Sequence, residues 1–212
     1  MKQLLNAGTL ISFILLTTSF SIESPNNYSS KINHIKTDQL TNLNNTTMVT
    51  DTSLNVICTR VFDAPIATVW KAWSDGEQVM KWWGPNGFTS PLCKMDFREG
   101  GSTLVCMRAP KEFGGMDMFN TWNYQKIVPL ERIEYILIFC DKDGNKLDPA
   151  AMGIPPGIPK EVPHVVTFKA LSDTKTEMTV TEYGYTSEQT VAISKAGMEQ
   201  CIDKMAASFK IK

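Results

Sequence analysis

Few side chains of this 212-residue chain suit proton transfer or nucleophilic attack, and they are scattered. Histidine occurs twice, at His34 and His164. His164 follows Pro163 at the start of a strand-like run. That placement puts it at a rim, where it is either a general base or a solvated strand-end residue. Glu182 ends the run Met178-x-Val180-x-Glu182. Alternation sets Met178, Val180 and Glu182 on one face of a strand and Thr179, Thr181 and Tyr183 on the other. If the Met/Val face looks inward, Glu182 points into an interior or its edge. A carboxylate there has a raised pKa or a cationic partner, with Arg98 and Arg108 as candidates. The alternatives for Glu182 are a structural ion pair or a rim position. Asp96 and Arg98 flank a tight turn and suit fixing that turn better than chemistry.

The five cysteines, Cys58, Cys93, Cys106, Cys140 and Cys201, are dispersed, with no C-x-x-C and no histidine at ligand spacing. No metal site is expected, and no cofactor is implied. An odd, dispersed set reads as free thiols of a reducing compartment. Cys93 and Cys106 are symmetric about Glu99-Gly100. A two-residue turn there would set them opposite each other, close enough for a disulfide. A bulge at Gly100-Gly101 would shift that register. With 21 basic and 22 acidic residues the formal net charge is -1, which gives no reason to expect nucleic acid or an anionic membrane as partner.

The elements that must position these groups follow from pattern. Lys2, the mostly apolar run Leu4 to Leu16 and the small pair Ser19 and Ser21 make residues 1–21 an expected signal peptide or hydrophobic leader. The run is short for a membrane span and is interrupted by Asn6 and Ser12. A genuine leader means export to a periplasm or beyond, whereas translation from Met48 means a cytoplasmic protein. Residues 22–49, rich in Asn, Ser and Thr, read as a disordered polar linker. Residues 50–212 form the folded domain.

Within that domain, Leu54 to Phe62 reads as a first strand. Pro65 suits the first position of a helix, which carries Val69, Trp70 and Trp73. Asp75-x-x-Gln78 is a capping box opening a second short helix that ends near Gly84-Pro85. Strand-like runs follow at Phe88 to Phe97, Thr103 to Arg108, Met116 to Val128, Arg132 to Cys140, Val165 to Leu171 and Glu177 to Tyr183. Ser172 to Lys175 is a hairpin signature. A long helix closes the chain, with a capping box at Thr186-x-x-Gln189. Its apolar face carries Val191, Met198, Ile202, Met205 and Phe209. Only that helix is able to cover the face of a curved antiparallel sheet. The prolines between Leu147 and Pro159 exclude regular structure, yet Met152, Ile154 and Ile158 are apolar. This insert is either a lid over a cavity mouth or a loop packed on the sheet edge.

This order resembles the START-like (SRPBCC) superfamily of α+β helix-grip folds. It is closer still to the group related to the C-terminal domain of the activator of Hsp90 ATPase. The carrying residues are Phe62-Asp63-Ala64-Pro65 with Val69-Trp70, then Lys81-Trp82-Trp83-Gly84-Pro85. Asp96 to Gly101, Val128-Pro129-x-Glu131-Arg132-Ile133, Thr179 to Glu182, and Gly197-Met198-x-Gln200 to Met205 continue the match. The resemblance implies a curved antiparallel sheet wrapped around a long C-terminal helix, with an apolar cavity between them. The candidate cavity residues are Trp70, Trp82, Trp83, Phe97, Met118, Trp122, Tyr135, Phe168, Met178, Val180, Glu182, Met198, Ile202 and Met205. The expected function is non-catalytic binding of a small hydrophobic molecule there, with no cofactor. The alternatives are a chaperone-contact module, which needs a protein-binding surface and a filled interior, and a cyclase or hydrolase. The last would show two or more polar groups converging in the cavity.

Overall fold

A computed structural model describes residues 54–210. The leader and linker expectations for residues 1–21 and 22–49, with the first residues of the domain, lie outside the described residues. Strand β1 (Leu54–Phe62) turns its even-numbered positions Val56, Cys58 and Phe62 inward. Helix α1 (Ile66–Ser74) buries Val69, Ala72 and Trp73. Pro65 sits one residue earlier than expected, outside the helix, and its carbonyl accepts from the amides of Thr68 and Val69. Helix α2 (Gly76–Trp82) is capped by Asp75, whose carboxylate accepts from the amides of Glu77 and Gln78 at 2.9 and 3.3 Å. This satisfies two of the amides that every helix start leaves without a partner.

Six further strands complete the sheet: β2 (Thr89–Met95), β3 (Ser102–Arg108), β4 (Asp117–Val128), β5 (Arg132–Cys140), β6 (Glu161–Ser172) and β7 (Lys175–Tyr185). The order is β1-β7-β6-β5-β4-β3-β2, antiparallel at every junction, so the first strand returns beside the last. The long helix α3 (Glu188–Ser208) lies against β1, α2 and β7 and buries Met198, Cys201, Ile202 and Met205. Its cap is Ser187, without a side-chain bond, and not the expected Thr186. The Thr186 amide is engaged elsewhere, donating to the carbonyl of Gly157 at 3.0 Å.

The proposed Cys93–Cys106 pairing does not form. Cys93 stands opposite Val105, and Cys106 opposite Leu92. Met95 pairs with Thr103, so an odd number of residues closes the turn and the register slips by one. A slip of one residue sends the two thiols to opposite faces. Cys93 packs on the helix side against Gly76, while Cys106 lies on the other side of the sheet. All five cysteines are free.

The interior between helices and sheet is aromatic. Trp73 and Trp82 meet at 4.7 Å, Trp83 and Trp122 at 4.9 Å, and Trp122 stacks on Tyr135 at 5.2 Å. Three of these indoles have partners inside the core. Trp82 donates to the carbonyl of Ala72 at 2.9 Å, Trp122 to Asn120 Oδ1 at 2.9 Å, and Trp73 to the sulfur of Met178 at 3.1 Å.

Candidate functional site

The registers of four strand junctions line up one transverse row. Tyr124 of β4 faces Tyr135 of β5, which faces His164 of β6, then Glu182 of β7, then Val56 of β1. All five are buried. Side chains directly opposite on neighbouring strands are in contact range, and here the contacts are polar. His164 stacks on Tyr135 with ring centroids 4.6 Å apart and 15° between planes. Its Nδ1 lies 2.9 Å from the carbonyl of Val162, and its Nε2 lies 3.7 Å from Glu182 Oε1. The other carboxylate oxygen, Oε2, accepts a short hydrogen bond from the hydroxyl of Tyr185.

Tyr185 reaches Glu182 because of a bulge. By simple alternation residue 185 would face away from residue 182. Pairing with β1 shifts by one between Val56–Glu182 and Leu54–Tyr185. Gly184, with φ of +88°, supplies the extra residue. Glycine adopts that backbone at no steric cost, and a bulge of this kind re-aims the next side chain. Burial and the neighbouring Glu182 both push the Tyr185 hydroxyl above its ordinary value, so it stays protonated and donates.

These groups form the polar end of a pocket of about 200 Å³ between the sheet and α3. Trp83, Leu137, Phe139, Met198 and Cys201 supply apolar wall, and Ile154 and Ile158 of the insert close one side. The insert is fastened there by the Gly157–Thr186 bond and by the contact of Gly157 with the start of α3. The opposite rim, Trp83 to Pro85, is held to α3 by Lys204. Its ammonium donates to the carbonyls of Gly84 and Phe88 at 2.8 and 3.0 Å, while Gln200 accepts from the Asn86 amide at 2.9 Å. Burial lowers the Lys204 pKa and raises the Cys201 thiol to about 12. The indole N–H of Trp83 and the hydroxyl of Tyr135 are buried with no hydrogen-bond partner among the described residues.

Of the residues that sequence reasoning assigned to a cavity, Trp83, Glu182 and Met198 line this pocket. Trp82, Trp122, Tyr135, Phe168, Met178, Val180, Ile202 and Met205 are instead packed against one another in the core. Trp70 and Phe97 sit at that core's edge, edge-to-face at 5.9 Å. Met118 lies against a small separate cluster of Phe88 and Ala109. His164 is a correction: it is 3% exposed and not at a rim. Strand β6 starts at Glu161 and runs through Pro163, while its pairing with β7 begins only at His164. A residue without an N–H is tolerated where a ladder has stopped. The arginines are a second correction. Arg98 pairs with Asp96 and Arg108 with Asp117, both exposed, and neither reaches Glu182. Tyr185 escaped the sequence reading, although Gly184 between two tyrosines is the signal of its bulge. Among the described residues no three His, Cys, Asp or Glu side chains are grouped to hold a metal ion, and no helix is long and apolar enough to cross a membrane.

A seven-stranded antiparallel sheet gripping one long helix, with a pocket between them, defines a helix-grip, START-like protein. The chain belongs to the family described as activator of Hsp90 ATPase homolog 1-like protein, whose model matches residues 63–210. Similar solved structures include a protein from Arthrobacter aurescens, 24% identical, with a TM-score of 0.59 over 73% of this chain and 84% of that one. A protein from Chromobacterium violaceum is 23% identical, with a TM-score of 0.59 over 74% of this chain and 99% of that one. A protein called AHSA1 from Silicibacter pomeroyi is 15% identical, with a TM-score of 0.59 over 74% of this chain and 97% of that one. At these identities the likeness is one of fold. No curated protein sequence matches the chain significantly.

Proposed function

We propose that the protein binds a small, largely apolar molecule between the sheet and α3 without transforming it. The observation that carries this reading is the pocket of about 200 Å³, apolar on most sides and polar only where His164, Glu182, Tyr185 and Ser194 line it. Ligand sites of this make-up, apolar walls with a few convergent polar groups, are the usual form for small molecules. A dry cavity of about 150 Å³ holds benzene, so this one suits a single substituted ring.

A chaperone contact, which the family description brings to mind, would be served by a surface and needs no pocket. The convergence of His164, Glu182 and Tyr185 is the one observation in favour of an enzyme of the cyclase or hydrolase kind. Two of their polar atoms are already committed to structural bonds, His164 Nδ1 to Val162 and Tyr185 to Glu182. That arrangement fits fixing the polar end of a ligand.

Gly197 provides the test. It lines the pocket from within α3, and a Cβ added there meets nothing within 4 Å. Gly197→Leu should obstruct the pocket while stabilising the helix by about 0.5–1 kcal/mol. Native mass spectrometry of the purified protein should show a small-molecule adduct in the wild type and none in the variant. The melting temperature of the variant should be equal or higher. An adduct retained in Gly197→Leu would refute this pocket, and an adduct released chemically altered would favour the enzyme.

A further inference from the structure

The polar end of the pocket has an unusual proton count. A carbonyl oxygen carries no proton, so His164 Nδ1 must bear one and donate it to Val162. The imidazole is left with Nε2, which faces Glu182 Oε1 at 3.7 Å, beyond hydrogen-bond length. Glu182 Oε2 is already taken by the Tyr185 hydroxyl. Two polar atoms therefore stand side by side on one pocket wall, each short of a partner. Arg98 and Arg108 are paired elsewhere, so the carboxylate draws no compensation from a guanidinium. A buried carboxylate beside an imidazole is stabilised when the two hold one proton between them. The pair then offers one donor and one acceptor toward the same point.

We infer that the molecule held in the pocket carries a hydroxyl whose oxygen bridges His164 Nε2 and Glu182 Oε1, which makes it a small apolar alcohol or phenol. This rests on the binding function proposed above and names its ligand class. A hydroxyl matches the pair because a single oxygen both accepts and donates. An ether or ketone accepts but cannot donate. An ammonium donates but cannot accept, and a hydrocarbon does neither and leaves both buried atoms unpaired, the costly outcome. The bridge works whichever of the two residues holds the proton, since the hydroxyl reverses its direction with the pair. The row of strands also fixes the geometry in advance: His164 is clamped by its stack on Tyr135 and its bond to Val162, and Glu182 by Tyr185.

The test compares p-cresol with p-xylene, two rings of the same size that differ by a hydroxyl in place of a methyl. The full chain, labelled at methionine methyls, is titrated with each, and the Met198 signal reports occupancy of this pocket. We expect p-cresol to bind at least about tenfold tighter, and 4-methylanisole, which has the oxygen but no donor, to behave like p-xylene. In His164→Phe, which keeps a ring over Tyr135, and in Glu182→Leu, which offers neither donor nor acceptor, the advantage should fall below about threefold. Equal affinity for p-cresol and p-xylene would overturn the hydroxyl inference while leaving apolar binding intact. Binding of none of the three would overturn both. An advantage of p-cresol that survives in both variants would put the hydroxyl elsewhere and overturn the bridge. Should the variants fail to fold, the wild-type comparison with 4-methylanisole still decides.

Discussion

At the scale of single residues, the site depends on Gly184 as much as on the groups that touch a ligand. Its φ of +88° aims Tyr185 at Glu182, and the Cγ of Pro159 lies 3.3 Å from where a Cβ would stand. Gly184→Ala should cost about 1–2 kcal/mol from the left-handed backbone alone. It should also turn the Tyr185 hydroxyl away and weaken ligand binding beyond what lost stability explains. Urea denaturation with a titration on the folded fraction separates the two effects, and a variant as stable as wild type would contradict this role for the bulge. Alternation groups Glu182 with Met178 and Val180 and leaves open which way that face looks; all three are buried in the structure. His164 is legible as a candidate but misplaced, because Pro163 reads locally as a strand start, and only the neighbouring strand β5 shows that pairing already runs from Glu161 through Pro163. Tyr185 was hidden for a related reason: a bulge breaks the period of two on which face assignment rests.

At the scale of elements, the patterns that read correctly are those written within about ten residues of chain. The Asp75 cap of α2 is one, and Asp75→Ala should lose about 0.5–2 kcal/mol, read as a lower urea midpoint with unchanged slope. The β6–β7 hairpin at Ser172–Lys175 and the bounds of β5 are others. What local pattern does not settle is how strands meet. The β2–β3 turn closes on an odd count and sends Cys93 and Cys106 to opposite faces, so peptide mapping after mild oxidation should find no Cys93–Cys106 disulfide. The insert is the other case. Its apolar residues read equally as lid or as packing, and Ile154 and Ile158 stand on the pocket wall. Deleting Pro149 to Pro159 should raise the dissociation constant for a pocket ligand at least about tenfold, the worth of one large apolar contact. Unchanged binding would remove the insert from the site.

At the scale of the whole molecule, Trp73, Trp82, Trp83 and Trp122 pack on one another, and the pocket opens beside them with Trp83 on its wall. The sequence shows which residues turn inward but not which inward residues meet, and that difference separates a filled aromatic core from a cavity wall. A tightly filled interior has a consequence for pH. Burial, first among the causes, raises the thiols of Cys58, Cys93 and Cys201 from 9.0 to about 12. The hydroxyls of Tyr124, Tyr135 and Tyr185 are pushed above 10.0 for the same reason. Between pH 9 and 12 the unfolded chain has released thiol protons that the folded chain still holds. Stability is therefore fully present below pH 9 and declines as pH rises through that window. Each thiol contributes at most about 1.4 kcal/mol per pH unit. Lys204 works in the opposite sense, since burial lowers its pKa from 10.5 and the unfolded chain keeps that proton longer, but it is one group against several. The urea midpoint should thus fall steeply above pH 9, with Tyr124, Tyr135 and Tyr185 ionising as the chain unfolds. Cys201→Ala should lower the midpoint at neutral pH yet make its decline with pH shallower. A decline as steep as in the wild type would mean that the Cys201 thiol already ionises in the folded protein.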